Sequence, residues 1–168
     1  MIKRKVATIV FYDEDNFMIQ DRKKISKWGE EYGFFGGAIE RGEYPEQTIK
    51  RELSEELDLD LNSNNLELFI SDIKFIKEID GEVERNVFIY KMPNLNNINV
   101  REGEIKIISR KELPSIKMVS GDLEILKRIN DYLNKIKWNS AFYLAKKTID
   151  IISLIYLRKR VIEYILNN

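Results

Sequence analysis

Between Gly37 and Leu59 the chain places Gly37, Glu43, Arg51, Glu52, Leu53, Glu55, Glu56 and Leu59 at the spacing G-x5-E-x7-R-E-L-x-E-E-x-x-L. A glycine turn followed by a carboxylate-rich helix is what this run can form. Gly36 and Gly37 lack Cβ, so the backbone can turn tightly and leave its carbonyls open to a cation or a phosphate. Pro45 suits the first helical position, where its fixed φ is pre-organised and its missing N–H costs nothing. The helix is predicted over about Pro45 to Leu57.

On a helical wheel with about 100° per residue, Ile49, Leu53 and Leu57 form an apolar stripe, and Glu52, Glu55 and Glu56 fill the neighbouring arc. Glu56 lies nearest the stripe and is predicted to be partly shielded from water, where an unpaired carboxylate is costly. Glu52 and Glu56 stand four residues apart, a like-charge spacing that destabilises a bare helix and calls for a cation. Hard oxygen donors without His or Cys suit Mg²⁺ or Mn²⁺ better than zinc. Arg51 can reach back to Glu43 as a bidentate pair that would tie the loop to the helix. A solvated acidic helix face would more often carry Lys or Arg four residues after each Glu. Here Glu56 and Leu59 occupy those positions.

This pattern, with the preceding glycine pair and Glu40, resembles the Nudix box, the signature of enzymes that cleave nucleoside diphosphates linked to another group. One position departs from it: Asp58 stands where the family usually has Gly, just past the helix end. Asp tolerates a left-handed backbone better than most residues, but its charge opposes the helix dipole.

Composition narrows the chemistry. The 168 residues, 43% of them hydrophobic, fit a folded domain with a real core. Lys plus Arg equals Asp plus Glu at 28 each, so no long-range field favours a nucleic acid polymer or an anionic membrane. There is no Cys and no His. That excludes disulfides, thiol nucleophiles, Ser-His-Asp chemistry and His-ligated zinc. Acid–base work falls to carboxylates, Lys, Tyr or metal-bound water. The basic start Met1-Ile2-Lys3-Arg4-Lys5 runs into a strand rather than a signal-peptide core, and no apolar run of about 18 residues exists, so a cytoplasmic protein without a membrane span is expected.

Around the box, strands are predicted over Val6 to Tyr12, Phe17 to Asp21 and Tyr32 to Phe35. Leu66 to Ile79 and Val83 to Met92 form two more, joined by a two-residue turn at Asp80-Gly81, and Glu104 to Ser109 another. Gly121 to Ile136 has helical spacing. The order resembles a Nudix-like α/β/α sandwich with a mixed sheet in residues 1–137, and residues 138–168 form a C-terminal helical extension of one or two helices. The extension admits three readings: an appendage on its own domain, an interface between copies, or an interfacial membrane helix. Its apolar residues lie on more than one helical face, which soluble monomers seldom leave exposed, so a homodimer or larger assembly is expected.

The resemblance implies Mg²⁺-dependent hydrolysis of a pyrophosphate bond in a small nucleotide substrate, by attack of water on phosphorus. Glu55 and Glu56 become metal ligands, helped by a carbonyl at Gly36 or Gly37. Glu52 is a further ligand or the base, and Arg51 and Glu43 brace the loop. The family often adds a carboxylate from beyond the box, here Glu102 or Glu104. Trp28, Tyr32, Phe34 and Phe35 could offer a base a stacking surface, with core packing the alternative. A non-catalytic Nudix-like domain that senses a nucleotide or holds a partner is the competing function.

Overall fold

The computed structural model describes residues 2–24, 29–61, 65–95, 98, 100–101, 104–113, 116–119 and 121–166. Two compact units divide the chain, Met1–Lys127 and Arg128–Asn168. The first is built on a mixed sheet with seven strands among the described residues. These are β1 (Ile2–Tyr12), β2 (Asn16–Asp21), β3 (Tyr32–Gly33), β4 (Phe35–Ala38), β5 (Glu67–Ile76), β6 (Gly81–Lys91) and β7 (Glu104–Ser109).

The central path runs β3-β2-β1-β6-β5, with β4 on β1 and β7 on β2. β1 and β6 are parallel, from Ile2↔Glu82 to Tyr12↔Lys91. The other pairings are antiparallel. β1 starts four residues before the predicted Val6, because its polar first third has no alternation to read yet still finds partners in the start of β6. The run Tyr32 to Phe35 divides at Phe34, so that β3 pairs with β2 and β4 with β1. The turn before β6 is longer than two residues: a 3-10 turn over Lys77–Ile79 leads into Asp80 at φ 46.

Helix α1 spans Pro45–Leu57, with Pro45 in its first turn and the Tyr44 N–H donating to Gln47 Oε1 at 2.8 Å. Asp58 ends it in the left-handed conformation at φ 48. Arg101 attends that end: its side chain pairs with the Asp58 carboxylate and donates to Ser54 O, and its N–H donates to Glu56 O. A cation at the negative helix end offsets the charge Asp58 brings. Ile49, Leu53 and Leu57 are buried with Ala7, Ile9, Phe11, Phe35 and Phe88 in one core cluster. Burying a large apolar side chain stabilises a fold by roughly 1.5–3 kcal/mol, so this stripe fixes where the acidic arc of α1 must face.

Helix α2, Asp122–Leu166, is continuous over 45 residues. The two helical stretches of the sequence are one helix because neither Pro nor Gly falls between them. In its C-terminal part, Trp138, Phe142, Tyr143, Leu144, Ile149 and Ile152 are exposed. Among the described residues no helix is long and apolar enough to cross a membrane.

Candidate active site

The glycine pair lies on β4 against the middle of β1, with Gly36 opposite Thr8 and Gly37 opposite Ala7. Gly36 has φ +116, and a Cβ there would lie 2.3 Å from Ala7 O. At Gly37 a Cβ would lie 2.2 Å from Glu52 Oε1. The missing side chain at Gly37 is therefore the space into which a carboxylate of α1 fits.

Arg51 organises the loop between β4 and α1. Its Nε donates to Glu43 Oε1 at 2.8 Å and its Nη2 to Glu43 Oε2 at 3.1 Å, while Nη2 also reaches Ala38 O at 3.2 Å. Nη1 donates to Glu52 Oε1 at 2.8 Å and stands 3.7 Å from Glu55 Oε2. These hydrogen bonds from Arg51, with others from Thr48 and the Glu40 N–H, hold the Glu43 carboxyl down at about 2. Glu43 thus stays charged across the working pH range and keeps the loop tied to the helix.

Glu56 is the shielded member of the acidic arc. Burial pushes its carboxyl up to about 7; the Gly36 N–H, 3.4 Å from Oε2, pulls the other way, and the nearby charge of Glu52 adds to the rise. Gln20 of β2 donates from Nε2 to Glu56 Oε1 at 3.1 Å, and its own Oε1 accepts from Arg22 Nη1 at 2.7 Å. A hydrogen-bonded chain therefore runs from Arg22 through Gln20 to Glu56.

A cavity of about 440 Å³ opens beside the glycines. Side chains alternate along a strand: Ala7, Ile9 and Phe88 face α1 in the core cluster, whereas the cavity is lined from β1 and β6 by Val6, Thr8, Val83, Arg85 and Val87. It thus sits on the face of the sheet opposite α1. Gly36 and Gly37 also line it, so between the cavity and the carboxylates of α1 there is only backbone. Arg22, Lys117 and Arg4 bring positive charge to its walls, and Glu30 and Asp122 bring carboxyls.

The structure thus brings Glu52 and Glu56 to the glycine pair, and ties Glu43 to Arg51, which bonds Ala38 O next along the chain. Glu55, on the same arc, is exposed. Glu104 opens β7 opposite Asp21, exposed, and its ion pair is with Lys24. Phe35 is 1% exposed and packs edge-to-face on Phe11, which leaves its ring no open face for a base. Phe34 lines the cavity, and Tyr32 receives a hydrogen bond and a cation–π contact from Lys23. Trp28 and Glu102 lie outside the described residues. Sequence reasoning did not single out Gln20, Arg22, Arg85 or Asp122. The signal for Arg85 is present: in Val83-x-Arg85-x-Val87 the charge occupies an inward position of an alternating strand.

Among the described residues, no three acidic side chains stand close enough together to form a ready metal cage. The donor set nevertheless fits a hard cation. Arg51 Nη1 already occupies the space between Glu52 and Glu55 as a positive charge, and the Glu52 carboxylate rests in the cradle at Gly37. Glu52, Glu55, Glu56 and the glycine carbonyls are all oxygen donors of the kind Mg²⁺ or Mn²⁺ takes.

A family model described as NUDIX domain matches residues 2–129. A search of the curated proteins finds no match. Among solved structures, the NUDIX domain of Shewanella oneidensis NrtR complexed with ADP ribose is similar at TM-score 0.65 and 14% identity, covering 79% of this chain and 90% of its own. The Escherichia coli dihydroneopterin triphosphate pyrophosphohydrolase is similar at TM-score 0.62 and 14% identity, over 76% and 97% of the two chains. A bifunctional NMN adenylyltransferase/ADP ribose pyrophosphatase from Francisella tularensis, complexed with AMP and an Mn ion, is similar at TM-score 0.59 and 20% identity, over 77% and 42%.

Proposed function

From the premise that the chain belongs to the Nudix family, shown by the match over residues 2–129, we propose that it hydrolyses a pyrophosphate bond in a nucleoside diphosphate-linked substrate. The observation that carries this reading is the contact of Glu52 and Glu56 with the side-chain-free backbone of Gly36 and Gly37, which separates them from a cation-lined cavity. The nucleoside part occupies the cavity and the pyrophosphate lies over the glycines.

Glu52, Glu55 and Glu56, with a carbonyl of Gly36 or Gly37, would hold a divalent cation, Mg²⁺ or Mn²⁺. Bound there, it supplies charge neutralisation for the phosphate oxygens and acidifies water. Arg51 keeps the glycine loop against α1 and aligns Glu52. Gln20 fixes Glu56 and couples it to Arg22, whose charge faces the substrate. A water oxygen forms the new bond to phosphorus as the anhydride P–O bond breaks, and its proton passes to a carboxylate, for which Glu52 stands nearest the glycines. Glu104 and Glu102 are the alternative bases.

A screen of nucleoside diphosphate derivatives with Mg²⁺, reading phosphate after phosphatase coupling, tests the reaction. Turnover is expected to vanish in excess chelator, and full activity there would reject the carboxylate site. In the substrate-free protein, cation at about 100-fold over its Kd should raise the melting temperature by roughly 5 °C or more, as mass action at a site present only in the folded state requires. A melting curve indifferent to both ions would remove Glu52, Glu55 and Glu56 as ligands. The sensor reading draws support from the same acidic side chains, which do not converge among the described residues. Nucleotide binding without turnover in that screen would favour it.

We further propose that residues 138–168 pair with a second copy. Trp138 and Phe142 are about three-quarters exposed, at 76% and 75%, with Tyr143, Ile149 and Ile152 exposed beside them on the helix. Side chains of this size seldom stand unpartnered on a soluble monomer. Light scattering on the full chain at micromolar concentration should report a dimer or larger species. A monomeric mass would reject the interface.

A further inference from the structure

Arg85 is the charged side chain of the cavity that the reaction above leaves without a task. It sits on β6 between the buried Val83 and Val87 and is itself only 8% exposed. Directly opposite on β5, Asp72 accepts from its Nε at 2.9 Å and its Nη2 at 2.6 Å. That fork locks the guanidinium plane. The remaining nitrogen, Nη1, is buried on a residue that lines the cavity and has no hydrogen-bond partner among the described residues. Buried donors are normally paired, and an unpaired one is costly, so a locked donor of this kind calls for an acceptor from outside the chain, a water or a ligand. A second cation decides between the two. Lys74 lies on the same face of β5 as Asp72, opposite Val83. The point that a Cβ on Gly121 would occupy is 2.6 Å from Lys74 Nζ and 3.1 Å from Arg85 Nη1. Gly121 immediately precedes α2, whose positive end adds to both charges. Like charges brought this close repel, and an anion offsets them where a neutral water does not.

The acidic groups nearby leave room for that anion. Asp72 is spent on the Arg85 fork, and Glu124 stands 3.6 Å from Lys74 Nζ and is 71% exposed, a pair that a ligand can displace. Asp122, the first residue of α2, lines the cavity. Burial pushes its carboxyl up to about 7, against the pull of Arg85, the Phe34 N–H, Arg22 and Lys74. An oxyanion beside it raises it further, so at pH 6 Asp122 carries a proton and offers an O–H rather than a second negative charge. The place of the anion is set by register. Arg85 pairs with Val6 of β1, and Val6 with Ala38 of β4, next to Gly37. Two strand spacings, about 10 Å, thus separate the Arg85 backbone from the glycines, which leaves room for a sugar between this anion and a pyrophosphate lying there.

We propose that Arg85 and Lys74 form a phosphate subsite, in which Arg85 Nη1 and Lys74 Nζ donate to the oxygens of a phosphomonoester carried by the sugar of the substrate, in addition to its pyrophosphate. The inference rests on the reading that the cavity takes the nucleoside part of the substrate. A carboxylate is the poorer fit, because the arginine fork that matches its planar pair of oxygens is already filled by Asp72. A phosphomonoester has three free oxygens and can be met from separate directions by one guanidinium nitrogen and one ammonium.

Calorimetric titration of the full chain with inorganic phosphate at pH 6 tests this without requiring turnover, in chelator so that no cation at the glycines attracts the probe. Phosphate should bind at millimolar concentration. Lys74 is one-third exposed, so Lys74→Met, which keeps the stem and removes the charge, leaves the core intact and should weaken phosphate at least ~10-fold, the scale of one hydrogen bond to a charged group. Lys74→Arg keeps the cation and should retain most of the binding. Ribose 5-phosphate should bind more tightly than the free ion, because its sugar also meets the cavity wall. No binding of phosphate, an unchanged affinity in Lys74→Met, or acetate bound as tightly as phosphate would each overturn the subsite. Ribose 5-phosphate weaker than the free ion would overturn its assignment to the substrate. Turnover of diphosphate derivatives by a chain that does not bind phosphate keeps the hydrolase reading and rejects this inference; Lys74-dependent phosphate binding without turnover does the reverse.

Discussion

Glu56→Gln is expected to lose at least ~10²-fold in turnover with the fold retained, the scale seen when one central electrostatic group is removed from a catalytic site. The amide keeps the shape of the side chain and its place beside Gln20 and the Gly36 N–H, and it discards the negative charge. Steady-state rates with saturating Mg²⁺ measure the loss. A variant with unmodified turnover would show that the charge of Glu56 is not used, and attention would pass to Glu52, Glu55 and Glu104.

The same substitution has a signature in stability. In the cation-free protein the folded Glu56 carboxyl is raised from 4.5 to about 7, so the folded state holds this proton more tightly than the unfolded state does. Its contribution to stability is complete below the unfolded value and is lost as pH rises from about 4.5 through about 7. Glu56→Gln has no proton to lose. Relative to the unmodified protein, the variant should therefore be more stable at pH 8 than at pH 4, as read by denaturant titrations in chelator at the two pH values. A difference independent of pH would mean that the carboxylate is solvated.

Gly36→Ala should cost about 2–6 kcal/mol of stability. Two mechanisms of roughly 1–3 kcal/mol each act together, a strained backbone and an overpacked contact. The residue has φ +116, and its new Cβ would meet Ala7 O at 2.3 Å and Thr8 Cα at 3.0 Å, backbone atoms of a central strand that cannot move aside. The melting temperature should fall by roughly 2–4 °C per kcal/mol for a chain of this length. Gly37→Ala provides the contrast. Its Cβ would meet the end of the Glu52 side chain, which can swing away, so the fold should survive while turnover drops. Equal stability loss at the two positions would contradict the division between a backbone obstacle and a side-chain one.

What could be read from the sequence was whatever local chemistry decides. Pro45 and the Ile49–Leu53–Leu57 stripe placed α1 at Pro45–Leu57, and Glu104 to Ser109 announced β7 by its alternation. The pairing of Arg51 with Glu43 followed from charge and spacing, but its further bonds to Glu52 and Ala38 O depend on the β4 backbone passing beneath the helix. The start of β1 was hidden because Lys3, Arg4 and Lys5 show no apolar period, and only the partner strand β6 makes them extended. Arg85 and Asp72 were out of reach for a related reason. They stand 13 residues apart, and only the register of β5 on β6 sets them face to face.

The register of β1 on β6 has a consequence for the order in which the molecule can assemble. β1 comes first in chain order among the described strands and lies at the centre of the sheet, flanked by β2, β4 and β6. Its ladder to β6 ends at Tyr12↔Lys91, so it cannot close until the chain through Lys91 is available. β2 can meet it early through a short turn, but the parallel neighbour carries the entropy of closing a long loop before any contact repays it. The hinge of folding is thus a strand that waits with one edge unpaired, and the basic residues Lys3, Arg4 and Lys5 keep that waiting edge from pairing with another chain.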